Sequence, residues 1–330
     1  MTSCAGGPTA VVDDLFADYS GAASPGAAVL VIRDGEKILT ATYGAADVST
    51  GEPIEAATNF RLASITKQFT ATAIMMLIEE GKINLDTRLA ELYPTVSPYA
   101  ADITIQQILQ HQSGLPDYEL MMPDDATDQA HDADVLQMML TADEAYFLPG
   151  TEYRYSNSGY AVLAMIVEQR SGQSFAEFLD ARLFTPTGMS NTVAFQDGIS
   201  TVPNRAYGYK VTEAGIEFAD QSLYSAVLGD GGIYSSLNDL YQWDQSLYRD
   251  DLISPENKAA MLTPSLEDYG YGWRIDDYNG HVRHHHSGST SGFRNFIQRF
   301  PEEKLTVIVL TNRAEPDVKL LGEAVGDLFL

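Results

Sequence analysis

Apolar residues recur along this chain with two different spacings, and the change between them divides it. Residues 27–33 (AAVLVIR) and 37–43 (KILTATY) are apolar and β-branched, and Asp34-Gly35 between them supplies a turn, so they predict a β-hairpin. Residues 271–275, 280–284, 293–298 and 305–310 predict further strands, with Pro301 and Glu302-Glu303 turning the chain between the last two. Between these two ends the apolar spacing lengthens to about 3.6 residues. That spacing predicts helices over 64–80, stopped by Gly81, and over 104–111, 134–140, 159–171, stopped by Gly172, 174–183 and 237–248. A last helix is expected over 316–328.

The simplest assembly is an α+β fold. The two ends, residues 1–58 and 265–330, pair into one antiparallel sheet flanked by terminal helices, and a mostly helical domain, residues 59–264, is inserted between them. A site built from both parts would lie in the cleft between them. Residues 121–134 (MMPDDATDQAHDAD) are acidic and interrupted by proline, and are expected to form a surface loop.

Composition narrows the function. Against 46 acidic residues stand only 20 basic ones, a formal net charge of −26 over 330 residues, which excludes nucleic acid as a partner. Such a surface suits a saline setting, where dense carboxylates keep a protein hydrated. No apolar run approaches the ~20 residues that span a bilayer, so no transmembrane segment is expected. Cys4 is the one cysteine, which rules out an intrachain disulfide. The small residues around it resemble the end of a bacterial lipoprotein signal. A lipid anchor and a periplasmic or cell-envelope location follow if Cys4 is such a site, and a cytoplasmic one otherwise.

Three short segments carry candidate chemistry. Ser64-Ile65-Thr66-Lys67 places a hydroxyl and an amine three residues apart, on one face of a helix, where an uncharged lysine can take the serine proton. In Tyr155-Ser156-Asn157 a phenol and an amide two residues apart point the same way in an extended loop. Tyr155 can relay a proton, while Asn157 can orient Lys67 and bind a substrate carbonyl. The third segment is His284-His285-His286-Ser287-Gly288-Ser289. Only His284 and His286 share a face of a strand, and no second cluster of zinc-binding residues accompanies them, so the segment reads as a strand lining the cleft and no metal is expected. His286 would supply a polar or cationic group there, and the glycines would let substrate approach the backbone.

These segments, with Phe60-Arg61-Leu62-Ala63 before the serine, Leu109-Gln110-His111-Gln112-Ser113-Gly114-Leu115-Pro116, Gly231-Gly232-Ile233-Tyr234-Ser235-Ser236 and Tyr271-Gly272-Trp273, occur in an order that resembles the penicillin-recognising serine hydrolases. The branch resembled holds class C β-lactamases, serine D,D-carboxypeptidases, D-aminopeptidases and β-lactamase-like esterases. The resemblance implies a β-lactamase/transpeptidase-like fold and a cofactor-independent hydrolase that forms an acyl-enzyme on Ser64. It implies that Lys67 and Tyr155 handle protons and that Asn157, His286, Ser287, Gly288 and Ser289 bind a small-molecule substrate. The backbone N–H groups of Ser64 and Ser289 would form the oxyanion hole. His286-Ser287-Gly288 stands where class C β-lactamases carry Lys-Thr-Gly. That tilts the expectation toward D-amino-acid amides, peptides or simple esters, with a true β-lactamase or a penicillin-binding sensor of negligible turnover as alternatives. Lys67 must then be desolvated, and His286 or an arginine is expected to help lower its pKa.

Self-repulsion at −26 predicts that added salt stabilises the fold. The melting temperature is expected to climb between low and molar NaCl, and a flat or falling curve would contradict this.

Overall fold

The computed structural model describes residues 7–330, so Cys4 lies outside the described residues. Six antiparallel strands form the main sheet: β1 (Ala27–Arg33), β2 (Glu36–Tyr43), β3 (Arg274–Tyr278), β4 (His281–Thr290), β5 (Phe293–Phe300) and β6 (Leu305–Thr311). Their order is β3-β4-β5-β6-β1-β2. The pairing of β6 with β1, Val309 opposite Val29, joins the two ends of the chain. Two expected strands differ at their bounds. Tyr271-Gly272-Trp273 precedes β3, because Gly272 has φ +75 and bends the chain there. The strand expected to end at 284 continues to Thr290, so the whole His286–Ser289 segment is ladder.

Both faces of this sheet are apolar, and each is covered. Helices α1 (Pro8–Leu15) and α5 (Lys319–Asp327) lie on one face, where Val12 and Val325 pack with Val29, Val31, Phe296, Val307 and Val309. The other face, through Ala28, Leu30, Ile297, Ile308 and Leu310, merges with the core of the inserted region. That core contains α2 (Thr66–Glu79), α3 (Asn157–Ser171) and α4 (Leu237–Ser246). Trp243 on α4 donates its indole N–H to Gln68 on α2 at 2.9 Å. Close by, Arg299 on β5 and Asp244 on α4 form a buried ion pair at 2.7 Å, and the Thr306 hydroxyl donates to the same carboxylate oxygen.

The inserted region also contains short strands. Phe60–Arg61, Ile233–Ser235 and Val193–Ala194 make a small sheet, and Tyr209–Thr212 and Gly215–Phe218 make a hairpin. The first of these strands delivers the chain to Ser64. The helix expected from Ser64 begins at Thr66, after a 3-10 turn over Ala63–Ile65 that the chain enters through Ala63 at φ +51. The acidic stretch expected as a surface loop ends in a helix that starts at Asp132, whose side chain is buried.

Breaking the Arg299–Asp244 pair leaves one charge stranded in the core. R299M is expected to cost about 3–5 kcal/mol in denaturant unfolding, and pairing it with D244L is expected to recover most of that loss.

Candidate active site

Ser64 is placed by a strand that enters a turn held on three sides. The Leu62 N–H donates to the Ile233 carbonyl at 2.8 Å, and the Asn295 amide on β5 donates to the Arg61 carbonyl at 2.8 Å. Gly288 on β4 supplies the third contact, since a Cβ there would sit 2.0 Å from the Leu62 carbonyl oxygen. The glycine is needed so that β4 can press on the serine's own turn. This corrects the expectation that it opens the backbone to substrate. Ala63, in the left-handed region, is held there at a cost of order 1–3 kcal/mol.

One helical turn on, Lys67 has no exposure to solvent. Its Nζ lies 3.3 Å from Ser64 Oγ, 2.9 Å from Asn157 Oδ1 and 2.9 Å from the Asp230 carbonyl oxygen. Protonated, the amine has three N–H groups for these three acceptors. Neutral, it keeps two donors for Asn157 and Asp230 and turns its lone pair toward the serine hydroxyl. Burial brings its pKa down to about 8, although the Asp230 and Glu119 carboxylates oppose the shift. Gly272 seals the other side, since a Cβ there would meet the Lys67 carbonyl oxygen at 2.6 Å.

The ring of Tyr155 sits 4.8 Å from Lys67 Nζ. Its hydroxyl is buried and makes no well-formed hydrogen bond, and burial raises its pKa, a shift that the Ser64 hydroxyl partly offsets. Tyr155 and Asn157 line one crevice, as their spacing suggests. His111, fully buried, fastens this loop by accepting the Ser156 N–H at 3.0 Å.

The third segment is arranged otherwise than expected. His286 is buried, with Nδ1 2.6 Å from the Ser287 carbonyl and Nε2 3.0 Å from the Tyr269 hydroxyl. A carbonyl can only accept, so Nδ1 carries the proton and Nε2 receives the tyrosine's. Burial drives the His286 pKa down to about 3, with Lys67 and Arg274 adding to the drop. The ring is therefore neutral and supplies no cation to depress Lys67; desolvation does that work. Among the residues expected to bind substrate, Asn157 and Ser289 border the Ser64 cavity, whereas His286 and Gly288 lie behind it and Ser287, exposed, is not on its wall. His285, on the opposite face of β4, lies 3.3 Å from Asp276. Among the described residues no group of three or more His, Cys, Asp or Glu converges to hold a metal. Arg283 is spent on Asp276 and Glu323, Arg274 donates to the Tyr153 hydroxyl, and Arg294 donates to backbone carbonyls.

The cavity over Ser64, about 570 Å³, has an acidic wall that the motifs do not announce. Glu119 accepts the Asn157 side-chain N–H at 3.0 Å. Asp230, beside Gly231-Gly232, accepts the Tyr118 hydroxyl at 3.3 Å. Behind it the buried Asp132 carboxylate accepts the Leu228 and Gly229 N–H groups at 2.7 and 2.9 Å, and burial raises its pKa to about 7. Arg61 also borders the cavity, with its guanidinium committed to Gln221 and the Ser225 carbonyl, and Lys210 stands exposed at the rim.

A fold of this kind around such a site defines a class, and comparison with known proteins identifies it. The Beta-lactamase family model matches residues 12–328, and the chain belongs to that family. Penicillin-binding protein 4* of Bacillus subtilis is 32% identical over 309 residues, covering 87% of this chain and 68% of that protein. A D-aminopeptidase of Cereibacter sphaeroides is 28% identical over 304 residues, and the match spans 87% of this chain but only 57% of the aminopeptidase. The crystal structure of a penicillin-binding protein from Bacillus halodurans superposes with a TM-score of 0.84 at 28% identity, covering all of both chains. The chain is a hydrolase of the β-lactamase fold.

A lysine poised near pH 8 sets the expected reactivity of Ser64. Labelling by a fluorophosphonate is expected to rise about tenfold per pH unit below pH 8 and to level above it, because the neutral fraction of Lys67 does so. K67R, which fixes the positive charge, is expected to slow labelling about 10²–10⁴-fold at every pH. Labelling that keeps rising to pH 10 would contradict this.

Proposed function

We propose that this chain is a cofactor-independent serine hydrolase that works through an acyl-enzyme on Ser64, in the cleft between residues 59–264 and the sheet formed by the two ends. The observation that carries the reading is the buried Lys67 amine, held between Ser64 Oγ, Asn157 Oδ1 and the Asp230 carbonyl. Neutral Lys67, with Tyr155 beside it, takes the proton as Ser64 Oγ attacks the substrate carbonyl carbon. Tyr155 returns a proton to the departing amine or alcohol. The negative charge that develops on the carbonyl oxygen is assigned to the backbone N–H groups of Ser64 and Ser289, an arrangement whose individual donors are typically worth about 10²–10³ in rate.

The preferred substrates are amides or short peptides of D-amino acids with a free α-ammonium, and simple esters. Glu119 is linked to Lys67 through a single side chain, Asn157, so a carboxylate stands near the acyl group where an ammonium can meet it. The neutral His286 leaves β-lactam carboxylates without the cation that the Lys-Thr-Gly enzymes offer. The similarity to a D-aminopeptidase supports this preference. A second reading, a penicillin-binding protein that is acylated with little turnover, is favoured by the likeness to penicillin-binding protein 4* and to the Bacillus halodurans structure.

The distinguishing assay compares D-alanine p-nitroanilide, its N-acetyl derivative, the L-enantiomer and benzylpenicillin in wild type and S64A. Wild type is expected to turn over the D-amide and to lose about 10–100-fold in kcat/KM on N-acetylation, the worth of a charged hydrogen bond. S64A is expected to be inactive. A persistent penicilloyl adduct without turnover of any amide or ester would replace this reading with the second.

A further inference from the structure

An acyl-enzyme turns over only if something activates a water molecule against it, and acylation leaves that task unassigned. We propose that Asp230 is the catalytic base for deacylation, an assignment that rests on the acyl-enzyme reading above.

The backbone of Asp230 is fixed from three directions. Asp132 accepts the N–H groups of Leu228 and Gly229, the Thr70 hydroxyl donates to the Gly229 carbonyl at 2.7 Å, and Lys67 donates to the carbonyl of Asp230 itself. Packing tightens the same segment, for a Cβ at Gly229 would lie 2.4 Å from the Tyr160 carbonyl oxygen, and Gly231 lies at van der Waals distance from Ala63, the residue before Ser64. Asp230 therefore stands next to the serine turn as part of a rigid frame. Its side chain is only 7% exposed, and that exposure is to the cavity it shares with Ser64 and Asn157. Oδ2 accepts the Tyr118 hydroxyl, whereas Oδ1 accepts no hydrogen bond from the described residues and is not sealed from solvent. A carboxylate oxygen without a partner, on the wall of the cavity that holds the serine, is suited to hold a water molecule by one of its protons.

The surroundings tune that carboxylate. Burial raises its pKa to about 6, Lys67 and Arg61 hold it from rising further, Glu119 pushes it up and the Tyr118 hydroxyl pulls it down. Asp132 lies on the far side of the same segment, and Tyr155 faces it across Lys67. The result is an anion at neutral pH that is more basic than an ordinary aspartate. Glu119 is a weaker candidate, because it is exposed and its Oε1 is committed to Asn157.

In the step assigned here, the water oxygen forms a bond to the acyl carbonyl carbon as Asp230 Oδ1 takes one of its protons. The tetrahedral intermediate then expels Ser64 Oγ, the ester C–O bond breaks, and the serine recovers a proton from the Lys67 and Tyr155 pair. The proton taken by Asp230 replaces, directly or through solvent, the one that the Lys67 and Tyr155 pair gives to Ser64, so the carboxylic acid product leaves with every group returned to its starting state.

The test separates the two halves of the reaction with p-nitrophenyl acetate. D230N and D230A are expected to keep the p-nitrophenol burst, which also reports a folded site, and to lose about 10²–10⁴-fold in the steady-state rate that follows. Intact mass would show acetyl-Ser64 accumulating, and formate would partly restore turnover in D230A. Y118F keeps the carboxylate but removes the hydroxyl that stabilises its charge. Its deacylation profile is expected to shift its acid limb upward from near pH 6, and this arm stands even if both Asp230 variants misfold. Deacylation within about twofold of wild type, or a higher KM for α-ammonium substrates with unchanged deacylation, would overturn the assignment. Loss of the burst in folded variants would overturn it as well. A wild type that never acetylates on Ser64 would instead remove the reading beneath it.

Discussion

Lys67 carries a primary amine into a place with no contact with water. An ammonium so placed forfeits several kcal/mol of hydration unless it finds a full set of acceptors or gives up its proton. The structure leaves both courses open. Three acceptors surround Nζ, so the charged form is tolerated, and one of them is a hydroxyl that can instead donate, so the neutral form is tolerated as well. Burial brings the lysine to about pH 8 despite two nearby carboxylates and a chain charge of −26, the condition under which it can take a proton from Ser64 near neutrality.

Keeping water away from that amine demands close packing on every side, and the glycines show where. Gly272 lies on the Lys67 carbonyl, and Gly288 lies on the carbonyl of Leu62, two residues before Ser64. Each brings a part of the sheet region against α2 or its leading turn more closely than any side chain would allow. His286 belongs to the same packing. Its ring, locked between the Tyr269 hydroxyl and the Ser287 carbonyl, is a neutral wall of the lysine's enclosure and not a hand extended to substrate. A neutral ring here offers no charge to an anionic group and leaves the contacts between Lys67 and Ser64 in place.

Much of this was legible in the residues. The two spacings of apolar positions marked the sheet and the helices, because burial on one face imposes a period that survives without knowledge of the fold. The serine, lysine and amide announced themselves because they meet through short, local spacing, Ser64 to Lys67 within one turn and Tyr155 to Asn157 across two residues. What lay hidden were features made by the return of distant chain. Asp132 fell in a stretch expected as a surface loop and Asp230 carried no signal of its own; only the packing of the helix that begins at Asp132 against the segment 228–231 buries them. Gly288 looked like an opening for substrate, since the carbonyl that requires it lies more than two hundred residues earlier. The left-handed Ala63, which leads into the turn ahead of a helix that begins two residues later than expected, likewise follows from tertiary packing and not from any preference of alanine.

On this reading burial alone, with no neighbouring cation, poises Lys67 to accept the serine proton. The most direct test is an NMR titration of the Lys67 side chain in protein labelled with ¹³C at lysine Cε, the signal assigned by its absence in K67R. A midpoint near pH 8, at least about one unit below the exposed lysines, is expected. A midpoint at pH 10 or above would mean that the amine stays charged through the working range, and Lys67 could not then be the base.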